Sequence, residues 1–242
     1  MDRAVYERMA AQEQVHWWFA GRREIIRALI EREVKLARDA RLLEAGCGTG
    51  GNLELLSRYG RIEGFEFDPE ARRLAAIRGF PVSVGALPDN VAEPDAAYDF
   101  VGLFDVLEHV ADDVAALATL SRKLRTGGTL LITVPAMPWL WSSHDVTHHH
   151  YRRYTARSLT RVIAAAGQRA VHVGYFNTLL FPLAVVQRGL HGLLGAKAPT
   201  DEMPTPGLNA LLSTIFRLER HLVGRVPMPF GLSLFAVVRA AG

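Results

Sequence analysis

The stretch Leu42-Leu43-Glu44-Ala45-Gly46-Cys47-Gly48-Thr49-Gly50 decides the fold. An apolar run closes on an acid, and a glycine-rich turn leads into the helix-forming residues 52–59. Glycines in such a turn take backbone angles that a side chain forbids, and they let N–H groups approach a ligand closely. Gly46, Gly48 and Gly51 fit the spacing G-x-G-x-x-G, and Glu66 stands twenty residues after Gly46. A carboxylate there can accept hydrogen bonds from both hydroxyls of a ribose, whatever completes the ligand. Glu44 separates the alternatives, because it would repel a diphosphate aimed at the helix N-terminus and suits a cation. The plain structural reading is a tight strand-to-helix turn, with Glu66 a surface carboxylate.

Outward from this turn, short apolar runs alternate with helical patterns. Residues 24–37 carry Ile25, Ile26, Leu29, Ile30 and Val34 at helical spacing. Strands are expected at 41–45, 61–67, 81–84, 98–104, 129–134, 169–175 and 232–238, and helices at 52–59, 69–78, 112–124 and 156–166. Such alternation predicts right-handed βαβ units and an α/β, doubly wound, seven-stranded, mostly parallel sheet. Residues 1–242 read as one domain with three additions. These are an N-terminal lid at 1–23, a substrate loop at 135–155 and a helical insertion at 176–229 before the last strand. A structureless connection of that last length is uncommon in a compact domain. Ligands of open parallel sheets bind beyond the strands' carboxyl ends, so strand direction brings all three additions over that edge.

Composition narrows the classes. The chain has 242 residues, is 49% hydrophobic and carries a formal charge of +3, which lends nucleic-acid binding no support. A single cysteine, Cys47, precludes an internal disulfide framework and fits a reducing compartment. The first residues do not read as a signal peptide, and no uncharged apolar run approaches the ~18 residues of a membrane helix. A cytoplasmic protein is expected, with membrane contact open. Oligomeric state is not legible.

The motifs resemble those of class I S-adenosylmethionine (SAM)-dependent methyltransferases. Residues 43–50 are similar to the family's first motif, and Ile62-Glu63-Gly64-Phe65-Glu66 to its second. Gly85-Ala86-Leu87-Pro88 resembles the adenine-reading loop, although many relatives have an acid where this chain has Ala86. Asp89 or backbone groups are then left to hold the adenine amino group. Phe104-Asp105-Val106-Leu107-Glu108-His109-Val110 is similar to the string in ubiquinone-type O-methyltransferases and bacterial small-molecule methyltransferases. The resemblance implies a Rossmann-like methyltransferase fold and SAM as cofactor, with S-adenosylhomocysteine as product. It implies cofactor contacts from Glu44, Gly46, Cys47, Gly48, Gly50, Asn52, Glu66, Phe67, Ala86, Leu87, Phe104 and Asp105. His16-Trp17-Trp18-Phe19-Ala20-Gly21-Arg22-Arg23 resembles an opening segment of a bacterial subgroup. The functional reading is a lid that brings Trp18 over the methionine end, with Arg22 pairing with the SAM carboxylate; an aromatic clamp on the core is the structural alternative.

The acceptor is less legible. Residues 135–155 hold Trp139, Trp141, His144, Asp145, His148, His149, His150, Tyr151, Arg152, Arg153 and Tyr154. One reading is a divalent metal held by His144, Asp145 and a later histidine, but the loop lacks a helical ligand pair and no metal is assigned. Another is an anionic acceptor held by His149, Arg152, Arg153 and Tyr154 with a histidine as base. The third is a solvated loop with aromatic anchors. The apolar residues 179–186, followed by Arg188 and Lys197, suit a helical lid, an acyl-binding wall or a peripheral membrane contact. The expected reaction is methylation of a small-molecule hydroxyl, on a hydrophobic, lipid-like or lipid- or glycan-linked metabolite, with His144 or His109 as base. The alternatives are a non-catalytic SAM-binding accessory protein and, less well supported, an NAD-dependent oxidoreductase.

Overall fold

A computed structural model describes residues 3–194 and 203–240. Seven strands form one sheet: β1 (Arg41–Ala45), β2 (Arg61–Glu66), β3 (Val82–Val84), β4 (Tyr98–Phe104), β5 (Leu124–Pro135), β6 (Ala170–Phe176) and β7 (Ser233–Arg239). Their order is β3-β2-β1-β4-β5-β7-β6, with β7 antiparallel to both neighbours. The α/β expectation of a seven-stranded, mostly parallel sheet is met.

Alternating side chains divide the core into two faces. Leu42, Phe100, Leu131 and Phe235 face one layer. It is built from α2 (Trp17–Glu33), α3 (Leu53–Leu56) and α9 (Pro206–Leu218). Leu43, Val101, Leu130 and Leu234 face α5 (Asp113–Lys123) and α7 (Ala156–Ala165) on the other side. α4 (Pro69–Ile77) links β2 to β3, and its N-cap Asp68 accepts from the N–H groups of Glu70 and Ala71 at 2.9 and 3.1 Å.

Some boundaries differ from expectation. The helix expected at 24–37 begins at Trp17 instead, because His16 caps it and its Nδ1 accepts from the Trp18 N–H. It stops at Glu33, where Val34 turns extended. The expected lid therefore comprises α1 (Arg3–Gln12) and the opening turns of α2. Residues 52–59 form only the single turn of α3 and a 3-10 turn (Ser57–Tyr59). β5 starts five residues early, since Leu124 already pairs with Tyr98.

The insertion supplies α8 (Phe181–Leu194) and α9, the latter packed on α2. Gly21 permits that approach: a Cβ there would run into the Phe216 ring. Asn209 of α9 accepts from the Trp17 N–H at 2.8 Å and donates to the Val15 carbonyl at 2.9 Å. Lys197 lies outside the described residues, as does the side chain of Arg188. Among the described residues no helix is long and apolar enough to cross a membrane.

Candidate cofactor and acceptor site

The turn after β1 is held open by three glycines with positive φ, Gly46 (+66°), Gly48 (+54°) and Gly50 (+83°). A Cβ at Gly48 would meet nothing within 4 Å, so its backbone borders open space; one at Gly46 would press on Val106 at 2.9 Å. Glu66 ends β2 and is oriented by two backbone donors. Its carboxylate accepts from the Gly48 N–H at 2.8 Å and the Asp68 N–H at 2.9 Å. Each oxygen keeps acceptor capacity for a ribose hydroxyl. Cys47 is buried, with its thiol pushed up by burial and then by Glu44, and its Sγ lies 3.9 Å from the Gly48 carbonyl.

Glu44 is the chemically unusual group. It is 2% exposed and accepts from Asn52 Nδ2 at 2.7 Å. Its second oxygen and the Asn52 amide oxygen are buried with no partner in the structure. Burial pushes its carboxyl up to about 7 against the Asn52 hydrogen bond. Two orphaned acceptors at the end of β1 are what a cationic ligand with N–H donors would satisfy, and what a phosphate would not.

The N-terminal segment closes on this turn. Arg22, expected to meet the SAM carboxylate, is instead ion-paired with Asp105, and its guanidinium lies 4.7 Å from the Trp18 ring centre. The reason is proximity: α2 passes over the end of β4. There Asp105, at a φ of +55°, also accepts from Thr133 Oγ1 at 3.1 Å. Sequence reading missed Glu13, which is buried, accepts from Thr49 Oγ1 at 2.9 Å and pairs with Arg78. It also missed Tyr6, which hydrogen-bonds Asp68. No motif signals either, because both act across the fold. Phe67 is 71% exposed beside Glu66, Leu87 packs on the α5 face and Phe104 is buried. The backbone N–H and carbonyl of Ala86 are both exchanged with Asn90, at 2.7 and 2.9 Å.

In the 135–155 segment the structure redistributes the expected roles. Arg153 is buried; its Nε donates to Asp145 at 2.7 Å and its Nη1 to the Ala136 carbonyl at 3.1 Å. Tyr154 is buried and donates to Asp113 at 2.9 Å, and Arg152 pairs with Asp113 at 2.7 Å. These three, expected on the substrate, spend their polar ends on the protein's own carboxylates: Arg152 and Tyr154 reach Asp113 at the start of α5, and Arg153 reaches Asp145 within its own segment. His149 is exposed, at a φ of +56°.

Asp145 lies within α6 (Ser143–Thr147) and accepts from Ser142 N–H, Arg153 and His150 Nδ1, the last at 2.9 Å. Burial opposes its ionisation, but the hydrogen bonds from His150 and Arg153 outweigh it and hold the carboxyl well below the usual range. It is thus an anchor, which removes the His144–Asp145 metal pairing. His144 is half-buried with its ring 4.2 Å from that of His148. His109 stands edge-on to His150 at 4.6 Å. Burial, then His150 and His148, push it down to about 4, so it is neutral at pH 7. Glu108, quoted above without a role, is fully buried beside both.

Two shallow surface clefts, one lined by Arg27, Arg32 and Arg220 and one by His172, Tyr175 and Met228, contain none of these residues.

Comparison with known proteins agrees with this geometry. The Methyltransferase domain family matches residues 18–173, more than half of the chain. A Mycolicibacterium smegmatis protein named as a probable SAM-dependent methyltransferase is 30% identical over 158 residues, 63% of this chain and 59% of that protein. The chain thus aligns with less than two thirds of that relative's length. A Xylella fastidiosa ubiquinone biosynthesis O-methyltransferase is 31% identical over 111 residues, covering 43% of this chain and 45% of the relative.

Among solved structures, a chain of the Haloferax volcanii complex between the Trm112 methyltransferase activator and a methyltransferase superposes with a TM-score of 0.65. Identity there is 20%, with 99% of this chain and 95% of that one covered. Haemonchus contortus phosphoethanolamine N-methyltransferase 2, bound to SAM, gives 0.61 at 15% identity, covering 89% and 52%. The [4+2]-cyclase SpnF gives 0.59 at 19%, covering 90% and 81%, so likeness at this level carries the fold alone. This chain belongs to the methyltransferase domain family, with a class I SAM-dependent methyltransferase fold.

Proposed function

We propose that this chain transfers the methyl group of SAM to a hydroxyl of a hydrophobic small molecule, lipid-like or linked to a lipid or glycan. One observation carries the cofactor half: a buried carboxylate, Glu44, with an orphaned oxygen beside three left-handed glycines. Glu66 would hold the ribose, Gly46, Gly48 and Gly50 would admit the backbone's close approach, and Phe67 would cover the adenine. The Arg22–Asp105 pair would then close the methionine end with Trp18, holding Asp105 in place. The acceptor half is supported by exposed apolar side chains in the segments that follow β5 and β6 and precede β7: Trp139, Leu179, Leu183 and Phe230. Trp139 meets Phe181 edge-on and Phe230 lies tilted against it, which joins the loop to the insertion.

Fixing the acceptor oxygen, methyl carbon and sulfur in line removes an entropic barrier, so positioning is the main contribution. A hydroxyl must also lose its proton as the oxygen–carbon bond forms and the carbon–sulfur bond breaks. His144 is the base in this reading, oriented by the ring of His148. His144→Ala is expected to lower kcat by about 100-fold, within the range of general-base contributions, with SAM affinity unchanged. Steady-state kinetics with calorimetry checks it, and full activity would remove His144 from the mechanism.

Calorimetry with SAM, S-adenosylhomocysteine and NAD tests the reading as a whole. Saturable heat with the first two and none with NAD is expected. Tight NAD binding without SAM competition would reverse it in favour of an oxidoreductase. SAM binding with no labelled product from a lipid-containing extract would point to an accessory protein.

A further inference from the structure

The glycine turn is held from outside itself. Of residues 46–51 four are glycine, and only Cys47 and Thr49 carry side chains. Backbone so rich in glycine has the most conformational freedom to lose, so a fixed shape there needs an external hold. Thr49 is the turn's polar handle. It is buried, its hydroxyl donates to Glu13 Oε2 at 2.9 Å, and its carbonyl accepts from Arg78 Nε at 2.8 Å. Arg78, at the end of α4, closes the triangle by pairing with the other Glu13 oxygen.

Glu13 stands in the link between α1 and α2, where its own carbonyl accepts from Arg23 Nη1 at 2.6 Å. Burial pushes its carboxyl up, against the opposing pull of Arg78 and the Thr49 hydroxyl. The carboxylate fills the space beside Gly51, since a Cβ there would overlap it. A second contact comes from the same N-terminal segment. Tyr6 hydrogen-bonds Asp68, whose N–H donates to Glu66 at 2.9 Å, and Glu66 also accepts from the Gly48 N–H at 2.8 Å. The segment therefore holds both the turn after β1 and, through Asp68, the carboxylate that ends β2.

We propose that Glu13 and Arg78 are positioning residues for the cofactor, acting through Thr49 to hold the glycine turn in its binding shape. The inference rests on the reading of that turn as the SAM site. A turn already in shape incurs no ordering cost when the ligand arrives, so loss of the clasp lowers affinity as well as stability. A clasp that merely braced the fold would lower Tm and leave affinity alone. Because Glu13 belongs to the N-terminal segment, ligand binding tightens residues 6–16 in step with residues 46–51.

The test is SAM calorimetry on the full chain carrying Glu13→Ala, Thr49→Val, Arg78→Met, or the first two together, with Thr49→Ser as the conservative variant. Each of the three single changes is expected to weaken SAM by about 10-fold, since each strands a buried polar partner. Glu13→Ala with Thr49→Val should weaken it no more than the stronger of the two alone, because both break one linkage. Thr49→Ser restores the hydroxyl and should bind within about 2-fold of wild type. Hydrogen exchange on the wild-type protein, which needs no variant to fold, should slow in residues 6–16 and 46–51 together when SAM is added. Wild-type affinity in Glu13→Ala and Thr49→Val at any Tm, additive losses in the double variant, a Thr49→Ser as weak as Thr49→Val, or slowing confined to 46–51 would overturn the proposal. Any of these with SAM heat in the wild type removes the clasp and leaves the cofactor reading standing; no SAM heat in the wild type removes both.

Discussion

Glu44→Gln is expected to weaken SAM binding by about 100-fold or more while making the ligand-free protein more stable. The substitution keeps the shape and an acceptor for Asn52, and it removes only the charge. In the free protein that charge is a burden, because burial has pushed the carboxyl up to about 7. A shift of that size corresponds to a gain on the order of 3 kcal/mol above pH 8 when the ionisable group is replaced. In the complex the carboxylate would face the cationic methionine end of the ligand, and truncating one partner of a buried charge pair costs ~2–5 kcal/mol.

The pH dependence has a definite sign. The folded carboxyl titrates above its unfolded counterpart, so the free protein gains stability as pH falls through about 7 towards the unfolded value. SAM affinity falls over the same interval, because the ligand must then displace a proton. Calorimetry and thermal melts between pH 5.5 and 8.5 check both trends, and Glu44→Gln should flatten each. An affinity indifferent to this substitution would separate Glu44 from the cofactor.

The second large effect concerns the anchor of the histidine loop. Asp145→Ala should destabilise the protein by about 3–5 kcal/mol, since it leaves the Arg153 guanidinium buried without a counter-charge. For a chain of this size that lowers Tm by roughly 10 °C. Asp145→Ala combined with Arg153→Met should recover much of the loss, because no unpaired charge remains. The Asp145 carboxyl lies below its ordinary range, so its contribution is complete above the unfolded value near pH 4 and is lost as pH falls below it. Differential scanning calorimetry of the two variants checks this, and equal Tm values for Asp145→Ala and wild type would show the network to be idle.

The elements that were legible in sequence are those whose signal is local. β1 and β4 came out at their expected bounds, because short runs such as 98–104, apolar but for Asp99 and Gly102, suit a strand buried on both faces. The glycine turn was legible because its conformational demand falls on individual residues: Gly46, Gly48 and Gly50 all have positive φ. Strand direction led residues 1–23, 135–155 and 176–229 to be expected at one sheet edge, and Asn209 on Trp17 and Trp139 on Phe181 are contacts among them.

The roles of the polar side chains were not legible in the same way. Arg22, Arg152 and Arg153 looked available for ligands because a sequence displays a charge without its partner. Tertiary structure supplied Asp105, Asp113 and Asp145, which stand 83, 39 and 8 residues away. Glu13 on Thr49, and Glu108 with His109 against His150, likewise depend on chain segments far apart in sequence meeting at one sheet edge. Propensity and periodicity act within a few residues, and they specify the strands and the turn, while the charge of Glu44 and the family resemblance pointed to the cofactor class. Pairing among buried charges is a property of the packed molecule, because desolvation makes each group depend on whichever neighbour the fold delivers.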